Sequence, residues 1–445
     1  GSVAAGGFRQ SYEASTPWAA GAAARTLVHL DKFSMQGSFA FKESQGNDMC
    51  GSIFVKPGFF PIDALEFTPG RKVRQEYSFD GEISVDVADN WRLGAGMDFD
   101  AINLSKRKDV RHSNYFLDMT VSPGAIWHSG KLAVGLNGLF RKVDDTPVAK
   151  QIGTKETYEA FLDKGLYYGK LEEWSGSGLH LSESGVNGLP VHQISCGGAF
   201  QIEYGSAFAE LSAMKGKGRI GEKQYIWFRF PFTEASIKLG NRWTHGDVTH
   251  AVRLSADWKH LKNNEFVIEK VVQGGISTTV SHGSNQILEQ KSTGFDAEYS
   301  LVSDKGELVV RGGIDETTSL ASQMYPYVVD QSISTLSALA GYTHHFGSMS
   351  LGLGAGFVSG SLDESDRSVS GSSGVTTEPL RLEEYYQMDK EYRTARRCTI
   401  GATAEYDFKK GVYLKAASDY VRAFSVEYLP GADRISATLY LGFKF

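Results

Sequence analysis

The sequence predicts an all-β protein: a single closed antiparallel transmembrane β-barrel of roughly 16–18 strands, 18 being the simplest solution. Three observations point there. Apolar and polar residues alternate with a period of two in segment after segment, short and long connections alternate strictly, and aromatic residues stand at nearly every short connection.

Residues two apart share one face of a strand. Tyr77, Phe79, Ile83 and Val85 oppose Ser78, Asp80, Glu82 and Asp86. In the next segment Leu93, Ala95, Met97, Phe99 and Ala101 oppose Arg92, Gly94, Gly96, Asp98 and Asp100. The division recurs at Ile194–Tyr204, Val252–Trp258, Met349–Phe357, Cys398–Tyr406 and Ile435–Phe445. A soluble sandwich also alternates, but these segments run to about ten residues or more, beyond the usual five or six. Strands of that length, tilted, match the hydrocarbon thickness of a bilayer. A sheet can span lipid only if it closes, because every backbone polar group there needs a partner.

Seventeen segments can be placed between residues 18 and 445. An even count with both ends on the periplasmic side expects the missing strand in residues 1–10 or in residues lost before them, giving eighteen; a fusion or omission among the segments would give sixteen. Short turns fall near residues 31, 89, 129, 205, 246, 304, 347 and 410. The long connections are 45–70, 105–112, 145–191, 215–232, 262–291, 318–332 and 359–392, the pattern of periplasmic turns and extracellular loops. Phe33, Trp91, Trp127, Tyr204, Trp243, Phe346, Phe408 and Phe445 lie at or beside the short turns and are the candidate periplasmic-side aromatic girdle. The whole chain, 1–445, reads as one barrel domain. Its longest loop, 145–191, is either an extracellular cap or folded into the lumen. Residues 359–378, rich in Ser, Gly and Asp, read as flexible.

Composition removes other classes. With 46 basic and 52 acidic side chains the net charge is −6, which argues against a nucleic-acid binder. There is no apolar run near twenty residues, so no helical membrane span is expected. Three cysteines make no disulfide scaffold, and Cys50, Cys196 and Cys398 are expected as free thiols. No signal peptide is visible from Gly1, so an outer-membrane chain of a Gram-negative bacterium would already have lost it.

If the apolar set faces lipid, the other set lines the lumen. The candidate lining is Asp80, Glu82, Asp86, Asp98, Asp100, Glu203, Arg253, Asp296, Glu298, Arg311, Asp315, Glu405 and Asp407. Such an acidic lining either favours cations in an open pore or pairs with Arg and Lys in a filled barrel, and the pattern leaves both open. Gly352 to Gly356 offers a Gly-x-Gly-x-Gly pattern, but inside a strand and opening no helix it is no dinucleotide site. No Cys/His spacing suits zinc, and neither cofactor nor metal is expected. His180, Ser182, Glu183, His192, His260 and His282 are the residues a surface hydrolase would draw on. They assemble into no nucleophile, base and orienter, and no enzyme is expected.

Several loop segments carry a resemblance. Residues 48–70 (Asp-Met-Cys-Gly-Ser-Ile-Phe-Val-Lys-Pro-Gly-Phe-Phe-Pro through Thr-Pro-Gly), 106–115, 160–169, 176–185 and 321–327 are similar to an outer-membrane β-barrel family of unknown function in Bacteroidota. The resemblance implies a Gram-negative outer-membrane barrel and carries over no site residue. The closing Tyr-Leu-Gly-Phe-Lys-Phe resembles the signal that barrel-assembly machinery reads in its clients. The expected function is a non-enzymatic pore for small polar solutes. The alternative is a scaffold or accessory subunit that meets an outer-membrane or surface-lipoprotein partner through loops carrying Phe59-Phe60-Pro61 and Tyr325-Pro326-Tyr327. Because the strand pattern begins almost at once, a gated transporter with an N-terminal plug domain is not expected.

Overall fold

The computed structural model describes residues 1–108, 111–149, 157–175, 178–181, 186–187, 189–221, 225–274, 276–322, 328–365, 382–408 and 411–444. The chain forms a closed 18-stranded antiparallel barrel. Its wall comprises β1 (Ser2–Gly6), β2 (Trp18–Leu30), β3 (Phe33–Ser52), β4 (Asp63–Ala88), β5 (Trp91–Lys106), β6 (His112–Ser129) and β7 (Leu132–Ala149). Four short strands follow outside the wall: β8 (Thr157–Asp163), β9 (Gly169–Ser175), β10 (Gly178–Leu181) and β11 (Val186–Asn187). The wall resumes with β12 (Val191–Tyr204), β13 (Ala207–Ile220), β14 (Phe228–His245), β15 (Val248–Gln273), β16 (Ile276–Ser303), β17 (Gly306–Ser322), β18 (Val328–Phe346) and β19 (Met349–Glu364). One helix, α1 (Leu382–Thr394), precedes β20 (Arg397–Asp407), β21 (Val412–Ala423) and β22 (Asp433–Phe443). The strand expected within residues 1–10 is β1. It closes the ring by pairing with Arg434–Thr438 on one side and Trp18–Ala19 on the other.

At one end the hairpins are tight. Gly205 and Gly347 turn with φ of 63°, a left-handed conformation that glycine adopts without steric cost. From that end the outward side chains of each strand are apolar for about ten residues and then change. Ala207, Ala209, Leu211 and Ala213 give way to Lys215 and Lys217 in β13; Val134, Leu136 and Phe140 give way to Lys142 and Asp144 in β7. In β15 Val252, Leu254, Ala256 and Trp258 give way to His260 and Lys262. Leu211 and Leu353 are 56% and 71% exposed, and apolar patches of this extent do not face water. Ten residues at ~3.3 Å each, tilted by about 40°, span roughly 25 Å, the height of an outer-membrane apolar band.

The strands continue past the band, which corrects several connections expected as loops. The stretch 262–291 is the far part of the β15–β16 hairpin, 215–232 is mostly β13 and β14, and 318–332 is largely β17 and β18. Residues 45–70 form a true loop only from Ile53 to Ile62. Beyond the lipid both faces of a strand meet polar surroundings, so the contrast that marks it in sequence fades while its backbone ladder persists. Most of the stretch expected to be flexible, 359–378, lies outside the described residues; its first six residues belong to β19, and Ser365 follows.

Candidate functional site

The hydrophobic core lies inside the barrel, in its upper half, where the loops gather. The loop between β3 and β4 dives into the lumen. Phe59 meets Arg141 of β7 at 5.7 Å and Lys259 of β15 at 5.8 Å, and only an interior position touches both walls. Phe60 packs edge-on against Phe54 at 5.6 Å and against Phe230 of the β14 wall at 6.3 Å. The wall around it supplies buried Ile102, Phe116, Val143, Val191, Ile220 and Val329. These inward residues are apolar where the outward ones are polar, the reverse of the arrangement in the band below.

The wall also holds the loop backbone. Val55 N–H donates to Asp145 Oδ2 at 2.9 Å, Arg74 Nη1 donates to Val55 O at 3.0 Å, and Lys72 Nζ donates to Ser52 O at 2.8 Å. Buried backbone groups need such partners, and side chains supply them where no ladder reaches. Beside them lies a buried triad. Glu66, 1% exposed, receives Lys106 Nζ at 2.5 Å and faces Lys72 Nζ at 3.6 Å. These groups lie above the apolar band, since Val73 and Gln75 follow Tyr77 on the outward face. Burial pushes the Glu66 carboxyl up and the Lys72 ammonium down, against their mutual attraction.

Two further pieces complete the plug. The β8–β9 hairpin pairs Phe161–Asp163 with Asp63–Leu65, placing part of the long loop 145–191 against the plug. Helix α1 has Glu383 and Glu384 in its first turn and Arg393 in its last, matching its dipole. Its Tyr385 stacks on Phe67 at 4.5 Å and its hydroxyl meets Cys50 Sγ at 3.4 Å. Tyr386 Oη bonds Glu364 and Gln331 of the wall, and Lys390 pairs with Glu364 at 2.7 Å. Glu391 receives the backbone N–H groups of Glu427, Tyr428 and Leu429, tying the β21–β22 loop to the helix.

Phe230 and Phe232 lie across the wall from Gly218 and Gly216. A Cβ at either glycine would overlap the ring opposite it. The glycines are therefore seats for two rings of the interior core. Gly218→Val is expected to cost about 1–3 kcal/mol through overpacking. The thermal unfolding midpoint should fall, and limited proteolysis should cut within 53–62 while the barrel band stays intact.

Below the plug the inner face is polar. Asp80, Glu82, Asp98 and Asp100 form one patch on β4 and β5: Asp80 stands opposite Asp98, and Asp100 accepts from Ser78 Oγ at 2.7 Å. Asp86 is bound to Arg92 through two contacts of 2.6 and 3.1 Å. Glu298 joins Arg311 and, at 3.7 Å, Arg253. Asp296 and Asp315 lie on neighbouring strands β16 and β17, and Asp315 lines a cavity of about 360 Å³ with Glu234, Asp257 and Lys259. Glu405 and Asp407 share Lys444 at 3.4 and 2.7 Å. Glu203 stands apart, bonded to Gln201 at 2.5 Å.

Phe33, Trp91, Tyr204, Trp243, Phe346 and Phe408 are exposed at the tight-turn end, and Trp127 is half-buried opposite Trp91. Phe445 lies outside the described residues. Of the histidines, His192 pairs with Asp144 at 2.7 Å, His260 with Glu289 at 2.8 Å and His282 with Glu269 at 2.7 Å, each on a different stretch of the outward or protruding surface. Ser182 and Glu183 lie outside the described residues, and nothing is described of the His180 side chain. Among the described residues no cluster of metal-ligating side chains forms. Cys50, Cys196 and Cys398 are unbridged.

The profile of a family of unknown function, DUF6850, matches residues 1–445. The chain belongs to this family. None of the curated proteins compared matches it. Among solved structures, this family member is similar in architecture to the FrpB iron transporter from Neisseria meningitidis, at 10% identity, TM-score 0.45, and coverage of 100% of this chain and 73% of the other. The unliganded ferric citrate transporter FecA gives 8% identity and TM-score 0.41, covering 95% of this chain and 70% of its own. OmpT of Vibrio cholerae gives 11% identity and TM-score 0.34, covering 94% and 100%. At such values the likeness carries no weight for function.

The plug residues escape a reading confined to the lipid-crossing stretches. One signal was available in β14: the apolar phase is even at Phe228, Phe230 and Phe232 and odd from Ala235 to Trp243. That reversal marks where a strand stops burying its outer face in lipid and starts burying its inner face against protein. Helix α1 shows Leu382, Tyr385, Tyr386 and Tyr392 at helical spacing.

Proposed function

We propose that this barrel sits in a Gram-negative outer membrane and passes small polar solutes, cations before anions, along a path that its own loops close at the outer end, with no chemistry performed on the solute. One observation carries the reading: the inner surface is packed and apolar around Phe60 and Phe230, and polar and acidic beneath them. A barrel serving only as a rigid support has no need of a polar lower lumen under a separately folded closure. The apolar outward band supports the membrane placement.

Planar-bilayer recording tests it. Wild-type protein is expected to give rare, brief openings. A chain with 53–61 replaced by a short Gly-Ser link is expected to conduct steadily and to select cations. Adding Asp80→Asn, Asp98→Asn and Asp100→Asn to that chain should bring the reversal potential towards zero, because the fixed charge that concentrates cations is gone. A shortened-loop barrel that is folded and silent would sink the proposal.

The accessory-subunit reading keeps one observation of its own. The β15–β16 hairpin rises beyond its neighbours and exposes Val267 and Val280 (51% and 42%). Crosslinking from cysteines placed at these positions in cells would identify a partner, and the absence of adducts would remove this reading.

A further inference from the structure

We propose that the outward face of β12–β14, directly above the apolar band, binds the phosphate groups of the phosphorylated glycolipid that forms the outer leaflet. Lys215, Lys217 and Arg219 occupy successive outward positions of β13, immediately after Leu211 and Ala213 on the same face. Across the ladder, His192 stands opposite Arg219, and Arg219 stands opposite Arg229. Lys142 of β7, Lys262 of β15 and Lys291 of β16 extend the strip on both sides. Seven Lys and Arg thus meet two carboxylates, Asp144 and Glu289, in a chain whose net charge is −6.

The two carboxylates are already engaged. Asp144 holds Lys142 and His192, both at 2.7 Å. Glu289 holds His260 at 2.8 Å, with Lys262 and Lys291 at 3.8 and 4.0 Å. Among the described residues Lys215, Lys217, Arg219 and Arg229 make no ion pair, although Arg229 lies over the Phe266 ring at 5.0 Å, and Lys215, Lys217 and Arg229 are exposed. Like charges directly opposite on a sheet repel, so the Arg219–Arg229 pair destabilises the bare wall and is relieved by an external anion.

Level and sidedness identify the anion. The strip begins where the apolar side chains end, at the height of lipid headgroups, and on the long-loop side, which faces outward in barrels of this type. It is a flank rather than a ring: at the same level the other strands present Glu43, Gln75, Asn103, Glu316, Asp330 and Asp363, and Arg422 of β21 is paired with Asp433. A headgroup with two phosphates on a rigid disaccharide suits several guanidinium and ammonium groups spaced along neighbouring strands. The inference rests on the outer-membrane placement above.

The test uses the full chain folded in neutral detergent and native mass spectrometry with three lipids: the bisphosphorylated acylated glucosamine disaccharide, its dephosphorylated form, and phosphatidylglycerol. The bisphosphorylated lipid is expected to bind best, and K215Q/K217Q/R219Q/R229Q is expected to lose at least tenfold in affinity. K32Q/K131Q/K305Q, at the tight turns, should bind as wild type does. Unchanged binding by the quadruple variant, or equal binding of either other lipid, would overturn the proposal. Should folded protein fail to insert into vesicles at all, the membrane placement itself falls, which the binding assay cannot mimic.

Discussion

Glu66→Gln is expected to undock the plug, at a cost of about 3–5 kcal/mol, while the barrel wall stays folded. In the native protein one carboxylate serves two ammonium groups that are 3% and 0% exposed. Glutamine keeps the shape and removes the charge. Lys72 and Lys106 are directly opposite in the β4–β5 register, so without the anion two buried cations face each other. Each keeps a carbonyl, Lys72 that of Ser52 and Lys106 that of Thr68, and a carbonyl dipole does not replace a full charge. Lys72, already pushed down by burial, must shed its proton, water must enter, or the loop must leave, and the loop is the weaker partner because its backbone is anchored by isolated side-chain bonds.

The molecule carries a reporter for this event. Cys50 is buried against Tyr385 of α1. In a Cys196→Ala/Cys398→Ala background, maleimide should modify Cys50 at least a hundredfold faster in Glu66→Gln than in the parent, and the heat-modifiable gel shift of the barrel should persist. Replacing the triad together, Glu66→Leu with Lys72→Met and Lys106→Met, should label more slowly than Glu66→Gln but faster than the parent, because the uncompensated charge is gone while the carbonyls of Ser52 and Thr68 lose their donors. If Glu66→Gln labels as slowly as the parent, the triad does not hold the plug.

How much of this was legible in the sequence depends on what each residue faces. In the band, one face meets lipid and the other water, so Leu93 to Ala101 against Arg92 to Asp100 announces a strand and its orientation at once. Above the band the contrast fails. Lys215, Lys217 and Arg219 alternate with Gly216, Gly218 and Ile220, and nothing local says that Gly216 and Gly218 are seats for aromatic rings on the next strand. The triad was further out of reach: Glu66, Lys72 and Lys106 are brought together only by the β4–β5 register and by the path of the loop. Once the register is known, the opposition of Lys72 and Lys106 itself calls for an anion between them. Helix α1 is a different kind of miss, because the aromatic spacing that marks it follows a Ser- and Gly-rich stretch and reads as more loop.

Docking of the plug is expected to weaken as pH rises from about 4 to about 7, then to level off. Asp63 sits where the loop rejoins β4, its Oδ1 accepting from Ser52 Oγ at 2.9 Å and from Ala64 N–H at 2.7 Å. Burial first, and Asp163 across the β4–β8 pair second, raise its carboxyl to about 7, with the Ser52 bond and Lys72 pulling the other way. Asp145, whose outward neighbour Asp144 already lies beyond the apolar band, is raised by burial to about 6, and burial also raises Asp389. An acid whose folded value exceeds its unfolded one favours the folded state fully below the unfolded value, near 3.8, and loses that advantage as pH climbs through the folded value. For Asp63 the limit is about 4 kcal/mol, three units at ~1.36 kcal/mol each, and the surface it retains lowers this through screening. Hydrogen-exchange protection of 53–66, corrected for the intrinsic rate, should therefore be higher at pH 5 than at pH 7.5. Asp63→Asn keeps the acceptor of both hydrogen bonds and cannot ionise, so it should remove most of the difference and leave the variant better protected than wild type at pH 7.5. A wild-type slope that survives Asp63→Asn, Asp145→Asn and Asp389→Asn together would move the pH sensitivity from these three carboxyls to another group, the buried Glu66 first.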